Sequence, residues 1–268
     1  MSTRIQSLQA RRIWDSRGRP TVEVDVHLED GAMGRGIAPA GASTGSHEAI
    51  ELRDGGTRFG GYDVQKALAN VVREIAPAII GRDALDQRGI DDTLIALDGT
   101  SNKARLGGNA LIATSMAVLH AAAASQRLPL WRYLLNTTAA SKDQAVILPL
   151  PEIQIFGGGA HAGRRIDIQD LLVMPVGAQS MAEALAMVAE VYRAAGDLMA
   201  DAGRRAGVAD EGGWWPDFAN NEEALQMLTR AIEKAGYRHG EVMISLDIAA
   251  SEFGSGGVYR PEIGRAHV

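Results

Sequence analysis

Residues 146–176, VILPLPEIQIFGGGAHAGRRIDIQDLLVMPV, hold the passage that decides the fold. Residues 146–155 read as an apolar strand running into Gly157-Gly158-Gly159, and residues 171–176 read as a second strand. Downstream, residues 181–203 and 222–235 carry helical spacing, and residues 242–246 form a further short apolar run. Strands alternating with helices indicate a parallel α/β sheet or barrel. A complete eight-stranded barrel takes roughly 250 residues, far more than remain after Val146, so this half predicts only the first part of one.

Upstream the pattern differs. Val22, Val24, Val26 and Leu28 alternate with Glu23, Asp25 and His27, the period of two of a half-buried strand. Glu29-Asp30-Gly31 supplies a turn, residues 33–38 return as a partner strand, and residues 5–13 add a third, which makes an antiparallel meander. Residues 62–80 and 109–126 follow with helical spacing. The short polar stretch 136–145 reads as a linker between an N-terminal α+β domain, residues 1–135, and a partial barrel, residues 146–261.

Composition bounds the function. With 27 basic against 33 acidic residues the net charge is −6, which argues against a nucleic-acid surface. No cysteine is present, so thiolate metal sites and thiol nucleophiles are excluded and a metal must be held by oxygen or imidazole ligands. The first ten residues lack the apolar core of a secretion signal and no run approaches the roughly 20 apolar residues of a membrane span, so the expected location is cytoplasmic. Of the lysines Lys66, Lys103, Lys142 and Lys234, none stands at a strand end.

Several residues could carry chemistry. The Gly41–Gly45 loop, with Ser43 and Thr44, either folds over a phosphate or metal-bound ligand or is an ordinary glycine-rich connection. His161 follows the triple glycine, and Gln169 and Asp170 open the next strand; a lone loop histidine is as readily structural as catalytic. Asp210-Glu211-Gly212-Gly213 places two carboxylates where glycines allow close approach, and Asp247 directly follows an apolar strand, where parallel α/β folds keep their active sites. Such oxygen ligands suit Mg²⁺.

Seven stretches in this order resemble the enolase family: DSRGRPTVEVDV from Asp15, GASTGSHEAIELRD from Gly41, GGGAHAGRRIDIQD from Gly157, VMPVGA from Val173, DEGG from Asp210, NEEAL from Asn221 and LDIAASEF from Leu246. The resemblance implies an α/β chain in which an N-terminal α+β capping domain precedes the first part of an incomplete (β/α)8 TIM-type barrel. It also implies a glycolytic hydro-lyase that reversibly dehydrates 2-phosphoglycerate to phosphoenolpyruvate with two Mg²⁺ ions per site, working as a homodimer paired through the N-terminal domain. By the matching motifs, Asp247 and Ser43 would ligate metal, Glu211 would be the general acid, and His161, Gln169 and Asp170 would bind substrate. A surface or secreted fraction is a further implication.

The same comparison shows departures. Asp170 stands where enolases carry a glutamate, Trp214-Trp215-Pro216 follows DEGG in place of smaller residues and is expected to crowd the pocket, and Arg164 and Arg165 add positive charge near the phosphoryl site. The later metal carboxylates and the lysine base of the family have no counterpart, and residues 262–268 fit no family pattern and read as a non-native tail. The chain is therefore expected to be an inactive N-terminal portion of an enolase. A divergent paralogue acting on a different carboxylate, or a non-catalytic surface binding protein, are the alternatives.

Overall fold

The computed structural model describes residues 2–137, 146–238 and 240–260. The chain divides into two compact units, Met1–Gly41 with His47–Ala145, and Ala42–Ser46 with Val146–Val268.

In the first unit β1 (Ile5–Trp14), β2 (Pro20–Leu28) and β3 (Met33–Ile37) form an antiparallel sheet in that order. Val22, Val24 and Val26 are fully buried on one face, as their alternation requires. The expectation of a half-buried β2 is corrected: Glu23 and Asp25, on the other face, are also buried. Arg11 on β1 binds both carboxylates and Arg35 on β3 binds Asp25 at 2.7 Å, so charge pairing and arginine stems cover what water would otherwise cover.

Over the expected helix 62–80 run α1 (Gln65–Asn70), a π turn (Val71–Ile75) and α2 (Ala76–Ile79). Pro77 accounts for the π turn, because its ring cannot sit against a regular preceding turn and it donates no N–H. Then come α3 (Gln87–Asp98), capped by Asp86 and ended by Gly99 in the left-handed region, α4 (Gly108–Ser125) and α5 (Leu130–Thr137). The alanine-rich α4 lies directly on β3: a Cβ placed at Gly34 would fall 2.1 Å from the Ala121 nitrogen, and one at Gly36 would fall 2.1 Å from the Ala113 oxygen.

In the second unit β4 (Ile153–Gly157), β5 (Asp170–Met174) and β6 (Met243–Asp247) form a sheet in chain order, with α6 (Met181–Asp201) and α7 (Asn221–Lys234) between β5 and β6. Both strand pairs are antiparallel, which corrects the parallel reading. The reason lies in the connections. Only a short 3-10 turn, Gly159–Ala162, separates β4 from β5, and two successive helices, unlike one, return the chain to the sheet running the opposite way. The first strand is also shorter than the apolar run suggested: Pro149 and Pro151 cannot donate to a ladder, and Val146, Ile147 and Leu148 are exposed.

Each helix opens with a reciprocal cap. Ser180 accepts from the Glu183 N–H while Glu183 accepts from Gln179, and Asn220 accepts from Glu223 while Glu223 accepts from Ala219. Ile155, Phe156, Leu171, Val173, Val191, Met199, Phe218 and Leu228 fill the core, with Phe156 edge-on to Phe218. A 3-10 turn (Ala250–Glu252) and the two-residue strands β7 (Gly254–Ser255) and β8 (Val258–Tyr259) follow β6. Among the described residues this is a partial TIM barrel that does not close. Residues 138–145 of the expected linker, with Lys142, and the expected tail 262–268 lie outside the described residues. No described helix is long and apolar enough to cross a membrane.

Candidate active site

The antiparallel sheet brings three strand ends together. Gly157, the last residue of β4, faces Asp170, the first of β5, and Asp170 faces Asp247, the last of β6. The loop between β4 and β5 is laced to this edge: the Gly158 N–H donates to Gln169 O at 2.6 Å and the Gln169 N–H donates to Asp247 O at 3.1 Å. Glycine is required at 158, where a Cβ would lie 2.2 Å from Ile168 O. The 3-10 turn inside the loop carries His161, which is 5% exposed.

Glu211 reaches the same place from another direction. Residues 208–214 make a small hairpin, with the Ala209 N–H donating to Gly213 O at 2.8 Å and the Gly212 N–H to Ala209 O at 3.1 Å. It is docked on β4 through the Trp214 N–H to Ile155 O (2.8 Å) and the Gly157 N–H to Trp214 O (3.3 Å), and Tyr192 on α6 donates its hydroxyl to Gly212 O at 2.7 Å. Glu211 Oε2 then stands 3.7 Å from His161 Nε2, and Asp170 Oδ1 stands 3.8 Å from the same nitrogen.

His161, Asp170 and Glu211 thus form one group whose ligand atoms lie within 4.8 Å of one another, an arrangement able to hold a metal ion or to share a proton. Burial raises the Asp170 pKa above the ordinary carboxylate value, with the Gln154 hydrogen bond opposing it in part. Beside this group the Gln169 amide donates to Asp247 Oδ2 at 3.4 Å, and the Ala249 N–H binds Asp247 Oδ1 at 3.1 Å.

Of the residues singled out in the sequence, the structure brings His161, Gln169, Asp170, Glu211 and Asp247 to one edge of the sheet. Ser43 lies half-buried in a bend of the Ala42–Ser46 segment, which belongs with the second unit. Among the described residues no hydrogen bond joins it to the other five.

The residue that sequence reasoning missed is Gln154, whose Nε2 donates to Asp170 Oδ1 and whose Oε1 accepts from Gly213. Its signals were a lone amide inside an otherwise apolar strand and the departure of PEIQIFGGG, from Pro151, from a segment that is rich in asparagine in the family the sequence resembles. The structure also places residues from two of the departures. Trp214 turns away from the cluster: it stacks on Tyr192 with ring centres 4.9 Å apart and its indole N–H donates to Tyr192 O. Arg164 and Arg165 are not free positive charges; they pair with Glu252 and with Asp217 (2.8 Å), respectively.

A model of the enolase N-terminal domain matches residues 5–134, and a model of the enolase C-terminal TIM barrel domain matches residues 145–263. Between them the two matches account for nearly every residue, in the family's own domain order, and the chain belongs to the enolase family.

Proposed function

We propose that the chain carries the substrate-facing half of a phosphopyruvate hydratase site, which dehydrates 2-phosphoglycerate to phosphoenolpyruvate with Mg²⁺. The observation that carries this reading is the convergence of an imidazole and two carboxylates beside an amide–carboxylate pair at one sheet edge. The residues fit a hard divalent ion. Asp247 offers carboxylate oxygen at an exposed strand end, and Gln169 Oε1 is buried without a hydrogen-bond partner next to it, an acceptor that a cation or a substrate hydroxyl would satisfy. Asp247 and Ser43 would hold Mg²⁺, which when bound neutralises negative charge developing on the substrate carboxylate.

The chain's own groups bind the substrate and protonate the leaving hydroxyl, while the base that takes the C2 proton is none of the groups at this strand end. Glu211, mostly exposed, delivers a proton to the C3 hydroxyl, which leaves as water as the C3–O bond breaks. His161 donates a hydrogen bond to the phosphoryl oxygens, Gln169 orients the substrate, and Asp170, buried against Gln154, fixes His161 and Glu211 relative to one another. Lys234 is not the base that takes the C2 proton, because it lies on α7 and pairs with Asp201 at 3.4 Å.

Calorimetric titration of 2-phosphoglycerate into the chain tests the reading: binding is expected only with Mg²⁺ present and is lost in Asp247→Ala. Binding indifferent to Mg²⁺, or unaffected by that substitution, overturns it. A second reading, an enolase-family hydro-lyase for a different carboxylate, is favoured by the retracted acid Asp170. Intact Mg²⁺ binding with no affinity for 2-phosphoglycerate would select it.

A further inference from the structure

Gln154 projects from β4 with both ends of its amide engaged. Its Nε2 donates to Asp170 Oδ1, and its Oε1 accepts the Gly213 N–H at 2.8 Å. Glycine on both sides makes the space: a Cβ at Gly213 would stand 2.4 Å from Gln154 Oε1, and one at Gly157 would stand 3.2 Å from it. An amide carries no charge and offers a donor and an acceptor on two separate atoms at one tip. Glutamate here would set an acceptor against Asp170, and methionine would offer neither bond. Asp170 is 7% exposed, so its carboxylate depends on such a donor, and Gly213 is two residues from Glu211 in the same hairpin.

We propose that Gln154 is a positioning residue: its amide locks the Asp170 carboxylate to the hairpin that carries Glu211, so that both acids face His161 as one unit. Neither acid touches the other directly through a hydrogen bond; the strand residue between them carries the connection. The assignment rests on the reading of Asp170 and Glu211 as site acids, while the linkage itself is measurable without substrate or metal.

Residue-resolved amide hydrogen exchange on the 268-residue chain provides the test. In Gln154→Met the Gly213 amide should exchange at least tenfold faster, while the neighbouring Trp214 amide, held by Ile155 O, keeps its rate. Asp170→Ala should speed Gly213 to the same extent although Asp170 does not touch it, and the double variant should add nothing further. Asp170→Asn retains an acceptor oxygen and should keep the protection. Gln154→Glu alone sets two carboxylates against each other and should lose it, whereas Gln154→Glu with Asp170→Asn exchanges donor and acceptor and should regain it.

Unchanged Gly213 exchange in Asp170→Ala, or failure of the exchanged pair to regain protection, overturns the proposal. Should Asp170→Ala lose structure throughout, seen as loss at Trp214 as well, the exchanged pair decides. If the linkage behaves as described but 2-phosphoglycerate fails to bind, the functional reading fails and the linkage stands.

Discussion

Gly34→Ala adds a single methyl group where β3 meets α4, and the structure sets its cost. The new Cβ would stand 2.1 Å from the Ala121 nitrogen and 2.2 Å from the Ala117 oxygen, about 1.3 Å inside the 3.4 Å at which ordinary contact begins. Both neighbours are backbone atoms in the middle of an 18-residue helix, so no rotamer change relieves the overlap. The helix must lift from the strand, and gaps of that size forfeit much of the dispersion energy along the whole contact. Overpacking of a core costs roughly 1–3 kcal/mol, and an immovable neighbour places this case at about 3 kcal/mol, on the order of a 10 °C fall in the melting temperature of that unit.

Gly31→Ala is the control. That residue has φ +88° with nothing within 4 Å of the added carbon, so only backbone strain of about 1 kcal/mol is expected. Urea unfolding followed by tryptophan fluorescence, in a background where Trp214 and Trp215 are phenylalanine, reports on Trp14 and Trp131 of the first unit. Equal losses for the two substitutions, or a loss below about 1 kcal/mol at Gly34, would refute direct packing of helix backbone on strand backbone.

Gly196→Ala in α6 should destabilise even though alanine favours helices by about 1 kcal/mol, because its Cβ would lie 2.4 Å from the Trp214 ring; Trp214→Leu should restore the usual gain, read by thermal denaturation. The Arg35 guanidinium, with Arg11, holds the Asp25 carboxyl down to about 2, so its contribution is complete above the unfolded carboxylate value and is lost as pH falls toward 2. The stability gap between the native chain and Asp25→Asn should therefore be about 1–2 kcal/mol at neutral pH, the arginines being half-exposed, and should close between about pH 4 and pH 2 in urea titrations. Asn220→Ala removes the acceptor for the Glu223 N–H and should cost about 1 kcal/mol by the same measurement, with no loss if the cap is unimportant.

Much of the architecture was legible because burial leaves a period. The alternation at Val22, Val24 and Val26 marks β2, and the helical spacing of the alanine-rich stretch marks α4, which is buried along most of its length and leaves Ile112 and Met116 exposed. What covers the other face of β2 was not legible, since Arg11 and Arg35 pair with Glu23 and Asp25 only after three strands are in register. The parallel reading of the second sheet failed although both helices were legible, because the alternation rule assumes one helix per crossover, whereas no α-helix lies between β4 and β5 and two lie between β5 and β6. Ser43 apart, the candidate site residues lay at element ends, where glycines and strand boundaries point to them. Gln154 lay within a strand, and its role depends on the hairpin around Gly213 arriving from nearly sixty residues away, a distance that no local pattern spans.

Because Gly157 and Asp170 are cross-strand neighbours, the intervening segment leaves and re-enters the sheet through adjacent doors. It is tied to α7 as well, because the Asp167 and Ile168 N–H groups donate to Asn221 Oδ1 at 3.0 and 3.2 Å and Ile166 is buried in the core of this unit. The segment is a strap and not a free loop: a graft of another length would pull on the start of that helix as well as on the strand ladder, and the imidazole keeps its place only while both anchorages hold.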